Sequence, residues 1–223
     1  MKTEIIKLNY ADQIYNTLKR DILHHRISFG EKITNKDLRK RFGVSSTPVR
    51  DAINRLYFDG FLQEISNAGA RVMDFNLNFA LEINEIVSML MNEAMLSIEE
   101  KMIDAERIGQ KLQQVVLDQK ESRTNKDDEA YFELDNKFHL TLVNLTNNRR
   151  FINLFKHNST LLEVLTRKVY VLNDEHRDVA ISQHESICIA YLNRNYAMAR
   201  LQMKDHYASV TRYFKSAIFE KSK

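Results

Sequence analysis

Residues 37–60 read DLRKRFGVSSTPVRDAINRLYFDG: a short helical stretch, a glycine-marked turn and a second helical stretch, in the order of a helix-turn-helix. Asp37 to Phe42 is too short to be stable alone. It stops at Gly43, the residue type that most readily takes the left-handed conformation closing a helix. Val44 and Ser45 then turn the chain. Thr47 is expected to cap the next helix with its hydroxyl, and Pro48, the only proline, suits a first helical position. That helix is therefore expected to begin at about Pro48. On it Val49, Ala52, Ile53 and Leu56 fall at i, i+3, i+4 and i+7, an apolar stripe that leaves Arg50 and Asn54 pointing away. With Ser46 and Thr47, those two would face a groove of duplex DNA. An arginine can donate two parallel hydrogen bonds to guanine O6 and N7, and a hydroxyl or helix N-terminus can take a phosphate. A structural helical hairpin with a solvated polar face is the alternative reading of this pattern by itself.

The flanks suggest a winged fold. Ile14, Leu18 and Ile22 recur every four residues, so roughly Tyr10 to His25 is an amphipathic helix able to pack on the hairpin. Downstream, Gly60 ends the second helix. The runs FLQEI and ARVMDF then flank Ser66, Asn67, Ala68 and Gly69, which reads as a β-hairpin. The tip of this wing could reach phosphate or the minor groove, or be a plain surface turn.

Punctuation is confined to the first third: four of the five glycines and the proline precede residue 70. Residues 1–72 carry 13 Lys and Arg against 8 Asp and Glu, a net +5 within a chain of +3 overall. Basic charge thus sits where phosphates would be neutralised. The expected organisation is a DNA-binding domain over 1–72, a linker over 73–78 and an all-helical domain over 79–223. So few glycines exclude phosphate loops of the Walker or Rossmann kind. No stretch of 18 apolar residues and no signal-peptide core occurs, so a cytoplasmic protein without membrane contact is expected. Cys188, the single cysteine, excludes an intramolecular disulfide and a thiolate cluster, and is expected to be a buried, inert thiol.

The second part reads as an antiparallel bundle with helices near 77–101, 104–121, 127–146, 149–172, 176–193 and 195–218. Leu134, Phe138, Leu142 and Leu145 recur at helical spacing, so Asp135 and His139 lie beside a core-facing stripe and share a face. If the chain reverses around residues 193–195, His184 and His206 lie 11 residues to either side of Asn195 and come level on two antiparallel helices. Three imidazoles and one carboxylate inside a bundle suit zinc, and also nickel, manganese or iron. Separate burial or solvation of His184 and His206 is an equal reading of the spacing.

The run from about Leu8 to Phe75, with ILHHRISFGEKIT, DLRKRFGVSSTPVRDAI and DGFLQEISNAGARV, resembles the N-terminal domain of the GntR family of bacterial transcription regulators. The pattern G-V-S-x-T-P-V-R is specific for that family. The resemblance implies Arg50 on an operator base, Thr47 near the phosphate backbone, Lys36 ahead of the hairpin on the DNA, and Gly69 in the wing beside Asn67. Members often carry an arginine directly before T-P, where this chain has Ser46. Further on, D-x3-H in LDNKFHLTL, a histidine in QHESICIAYL and another in MKDHYASV resemble the metal-binding branch of the FCD effector domain, the helical partner in the FadR subfamily. That resemblance implies Asp135, His139, His184 and His206 as metal ligands and Asn148 near the effector. Many such domains carry an arginine for an acidic effector where this chain has Val87.

The fold expected is mainly α, a winged helix-turn-helix followed by an all-α antiparallel bundle. The function expected is a non-enzymatic homodimer that binds an inverted-repeat operator. A small effector, an organic or sugar acid, would bind at a divalent metal, Zn2+ ahead of Ni2+, Mn2+ or Fe2+, and control DNA affinity. Two rivals are a metal-free regulator with an acyl or other hydrophobic ligand lined by Met89, Met91, Met95 and Met102, and a metallohydrolase using His157 or His176 as base.

Overall fold

A computed structural model of the protein describes residues 9–66, 68–74 and 76–219, and the chain divides into two compact units, Met1–Asn76 and Leu77–Lys223. Asn67, expected at the wing tip, lies outside the described residues, as does Phe75 of the expected linker.

The first unit contains α1 (Tyr10–Leu23), β1 (Lys32–Thr34), α2 (Asn35–Phe42), α3 (Ser46–Phe58), β2 (Leu62–Ser66) and β3 (Gly69–Val72). The stripe expected on α3 is the one it buries: Val49, Ala52 and Leu56 are inaccessible and Ile53 nearly so, against Ile14, Leu18 and Ile22 of α1. Two polar ties fix the same contact. The Arg55 guanidinium lies 4.3 Å from the Tyr15 ring centroid and 2.5 Å from Asp12, and the Tyr15 hydroxyl donates to Asp59. Gly43 closes α2 at φ 65° as the sequence suggests.

Two details differ from expectation. The second helix begins at Ser46, not Pro48, with Ser45 as N-cap and no side-chain cap. Pro48 therefore sits in the third helical position, where an amide hydrogen would still find no acceptor within the helix, so the ring removes nothing. The wing, besides, is part of a three-stranded antiparallel sheet of order β1-β3-β2. The strand added to the hairpin, β1 (KIT), is too short to show a period of two. Gly69 faces Thr34 across that sheet. A Cβ there would stand 2.1 Å from the Ile33 carbonyl oxygen, at a φ of 153°. Gly69 is buried, so it shapes the wing from within instead of presenting a contact surface.

The second unit comprises α4 (Leu77–Glu100), α5 (Ala105–Thr124), α6 (Asp128–Asn144), α7 (Arg149–Leu172), α8 (Glu175–Leu192) and α9 (Tyr196–Phe219). Their ends lie within a few residues of those expected. The turns use non-glycine residues in the left-handed region, Met102, Lys126, Asn147 and Arg194 among them. Helix α8 packs between α5 and α9, α4 lies against α9 and α7, and α6 against α5. Leu112, Phe138, Leu142, Phe155, Leu165 and Phe214 are fully buried between these helices. No described helix is long and apolar enough to cross a membrane.

Candidate functional site

Helices α6, α8 and α9 bring three histidines together. His139, His184 and His206 each offer a ring nitrogen, and these atoms lie within 4.8 Å of one another. Ring centroids are 4.8 Å apart for His184 and His206 and 5.2 Å for the other two pairs. The antiparallel pairing of α8 and α9 about Asn195 makes His184 and His206 level, as the count of residues suggests. Asp135, one turn before His139, places Oδ1 3.9 Å from His184 Nε2. All four residues expected from the sequence are thus neighbours, with the imidazoles as the tight group and the carboxylate at its edge.

Each imidazole is held from behind. His184 Nδ1 lies 2.9 Å from Gln119 Oε1 and His206 Nδ1 3.1 Å from Gln183 Oε1. An amide oxygen can only accept, so each Nδ1 carries the proton and each Nε2 keeps its lone pair. His139 Nδ1 lies 3.4 Å from the Tyr207 hydroxyl. The Phe138 ring stacks on His184 at 3.9 Å and fixes its plane. His184 is wholly inaccessible, and its Nε2 has no hydrogen-bond partner among the described residues. A desolvated lone pair of this kind costs free energy unless something meets it.

The electrostatics favour the neutral, ligating form. Burial holds His139 and His184 well below the ordinary imidazole range, and the neighbouring histidines push the same way. Burial lowers His206 to about 4 against a partial lift from Asp205. Burial pushes the Asp135 carboxyl up to about 7, with help from the Glu163 charge and opposition from the Gln119 amide. Neutral imidazoles beside a carboxylate that is costly to ionise form a donor set completed by a cation. The residues present therefore fit a divalent metal.

His139, His206 and Asp135 also line a small cavity of about 40 Å³, with Val87, Asn136, Phe155, Glu163 and Tyr170 among its other walls. Asn148, expected near an effector, is not among them. It is exposed and caps α7, its Oδ1 accepting from the amides of Arg150 and Phe151 at 3.2 Å. An asparagine at that place is explained by the helix it starts. The methionines of the hydrophobic-ligand alternative do not line this cavity either. Met91 and Met95 are core residues, while Met89 and Met102 are exposed. Gln119, Gln183, Tyr207 and Glu163 join the site only in the fold. Nothing local marks a glutamine that meets a histidine 65 residues away.

In the first unit, Arg50 and Asn54 project from the face of α3 opposite its buried stripe, and Lys36 and Thr47 are exposed, with Ser46 partly so. Arg50, Asn54 and Ser66 line one cleft between α3 and the wing, together with Asn35, Ile53 and Ile65. Asn35, at the start of α2, is an addition to the expected set. It resembles an ordinary helix-start residue in the sequence.

Residues 10–72 match the bacterial regulatory proteins of the gntR family, and residues 91–209, more than half the chain, match the FCD domain. The chain belongs to the GntR family, with an FCD domain. The uncharacterized HTH-type transcriptional regulator YdhC of Bacillus subtilis is 25% identical over 95% of this chain and 93% of its own length. The Nta operon transcriptional regulator of Aminobacter aminovorans is 34% identical over 55% of this chain and 57% of its own. A putative GntR transcriptional regulator from Rhodococcus sp. RHA1 shares the fold with a TM-score of 0.75, at 18% identity over 93% of this chain and 98% of that one. This GntR-family chain is a DNA-binding transcriptional regulator with an FCD effector domain, of the kind grouped in the FadR subfamily.

Proposed function

We propose that this GntR-family regulator binds an inverted-repeat operator as a homodimer, and that a small effector bound at a divalent metal in the FCD domain sets its affinity for DNA. The observation that carries the reading is the histidine cluster. Three buried imidazoles have their Nδ1 atoms turned to Gln119, Gln183 and Tyr207, which leaves the Nε2 atoms of His139, His184 and His206, with the Asp135 carboxylate, to hold zinc. Nickel, manganese or iron(II) would be accepted by the same donors. Bound there, the metal supplies a positive charge on which an organic or sugar acid can place its carboxylate. The protein holds the imidazoles neutral, excludes bulk water through Val87, Phe155 and Leu162, and surrounds the effector with helices α4, α6, α7 and α9. An effector that prefers one arrangement of these helices shifts DNA affinity by its difference in binding free energy between the two states. No bond need be made or broken.

At the other unit, Arg50 and Asn54 read base edges while Lys36, Ser46 and Thr47 meet phosphates. The first-turn amides of α3 take no side-chain cap, which suits an anion at that helix end. The reading is tested by metal analysis of the purified protein and of His184→Ala. About one metal ion per chain in the former and a near-zero content in the latter is expected. Equal contents in the two would remove the assignment.

A further inference from the structure

We propose that the effector is a small hydroxy or amino acid whose end remote from the histidines carries hydrogen-bond donors, a hydroxyl or an ammonium group, and no second carboxylate. The inference rests on the metal-centred reading above and narrows it.

The cavity walls are rich in acceptors and lack cations. No Lys or Arg is among its described lining residues, while Asp135 and Glu163 both are. The nearby cation, Arg167, is turned to other work. It is nearly buried, and its guanidinium lies 2.8 Å from Glu163 and 3.1 Å from Glu129.

Two hydroxyls of α7 point the same way. Ser159 Oγ donates to the Lys156 carbonyl and Thr166 Oγ1 to the Glu163 carbonyl, so each hydroxyl proton is engaged within α7. Only their lone pairs are left for a ligand. Asn136, another residue of the cavity wall, keeps its Oδ1 buried without a hydrogen-bond partner among the described residues. A carboxylate brought against these groups would find acceptors facing acceptors, with no Lys or Arg on the described cavity wall to meet its charge. A hydroxyl or ammonium group would find partners for each of its protons. The volume of about 40 Å³ holds only a few water-sized groups, which suits a three-carbon acid better than a long chain.

The test is calorimetric titration of the full-length, zinc-loaded protein with three probes that share a 2-hydroxycarboxylate head and differ only at the far end. Glycerate ends in a hydroxyl, isoserine in an ammonium and tartronate in a carboxylate. Glycerate and isoserine are expected to bind at least about tenfold more tightly than tartronate, and Glu163→Gln is expected to narrow the gap between isoserine and tartronate. If that variant does not fold, Ser159→Ala serves: it should weaken glycerate and leave tartronate unchanged. Tartronate binding as tightly as the others to protein that retains its zinc overturns this inference and leaves the metal site standing. Zinc retained with none of the three bound overturns it too. A protein that takes up no zinc removes the metal reading itself, and this inference with it.

Discussion

The two units carry their functional side chains in opposite ways. In the first, Arg50, Asn54, Lys36 and Thr47 are exposed on the outer face of a hairpin whose inner face is sealed by Val49, Ala52 and Leu56. Function and stability lie on different sides of one helix. In the second, His139, His184 and His206 are buried, and the residues that orient them are core residues as well: Phe138 and Gln119 are fully inaccessible. There the site is part of the packing. Substitutions in the first unit should separate binding from stability, and those in the second should move both together.

The largest effect is expected for Phe138→Ala, which removes a buried ring stacked on His184. It should destabilise the second unit by about 3 to 5 kcal/mol and lower metal affinity as well, measured by denaturant unfolding and metal titration. A loss of stability with metal affinity intact would break the proposed coupling. Next is the pH dependence of chelator-treated protein. Histidines depressed in the fold stabilise it above the unfolded value of about 6.5, and that contribution is lost as pH falls through the folded values. For His206, at about 4, the loss is on the order of 3 kcal/mol. His139 and His184 act in the same sense, whereas Asp135, raised to about 7, works against them. Thermal melts between pH 7 and 4 should therefore fall, and a flat profile would contradict neutral buried imidazoles. Gln119→Ala should cost about 10- to 100-fold in metal affinity by freeing the His184 tautomer, read by competition with a chromophoric chelator. Arg50→Ala, at the other end of the comparison, should lose about 1 to 3 kcal/mol of operator discrimination in a binding titration. Its unfolding free energy should stay within about 0.5 kcal/mol of the parent. A matching loss of stability would show that the two faces of α3 are not separate.

This contrast also explains what the sequence could reveal. The helix-turn-helix is written in 24 consecutive residues, because the turn glycine, the apolar stripe and the outward arginine all act within two helical turns of one another. Even so, α3 starts two residues before Pro48, which is equally at home deeper in the first turn. Strand β1 is not legible in the sequence, because three residues carry no period. The bundle was legible from its polar breaks, and the level placement of His184 and His206 followed from counting along two antiparallel helices. What surrounds them did not follow. Gln119 and Gln183 are ordinary polar residues until tertiary packing sets their amide oxygens against imidazole nitrogens. Asn148 shows the converse, a residue type suited to a ligand whose visible work is to cap α7.

The claim on which the functional account depends is that the buried imidazoles hold a metal through their Nε2 atoms. X-ray absorption at the edge of the metal carried by the protein tests it most directly. The account predicts a first shell of three imidazole nitrogens at about 2.0 to 2.1 Å, completed by oxygen, for zinc. A shell of oxygen atoms without the imidazole outer-shell pattern, or a shell containing sulfur from Cys188, would contradict it.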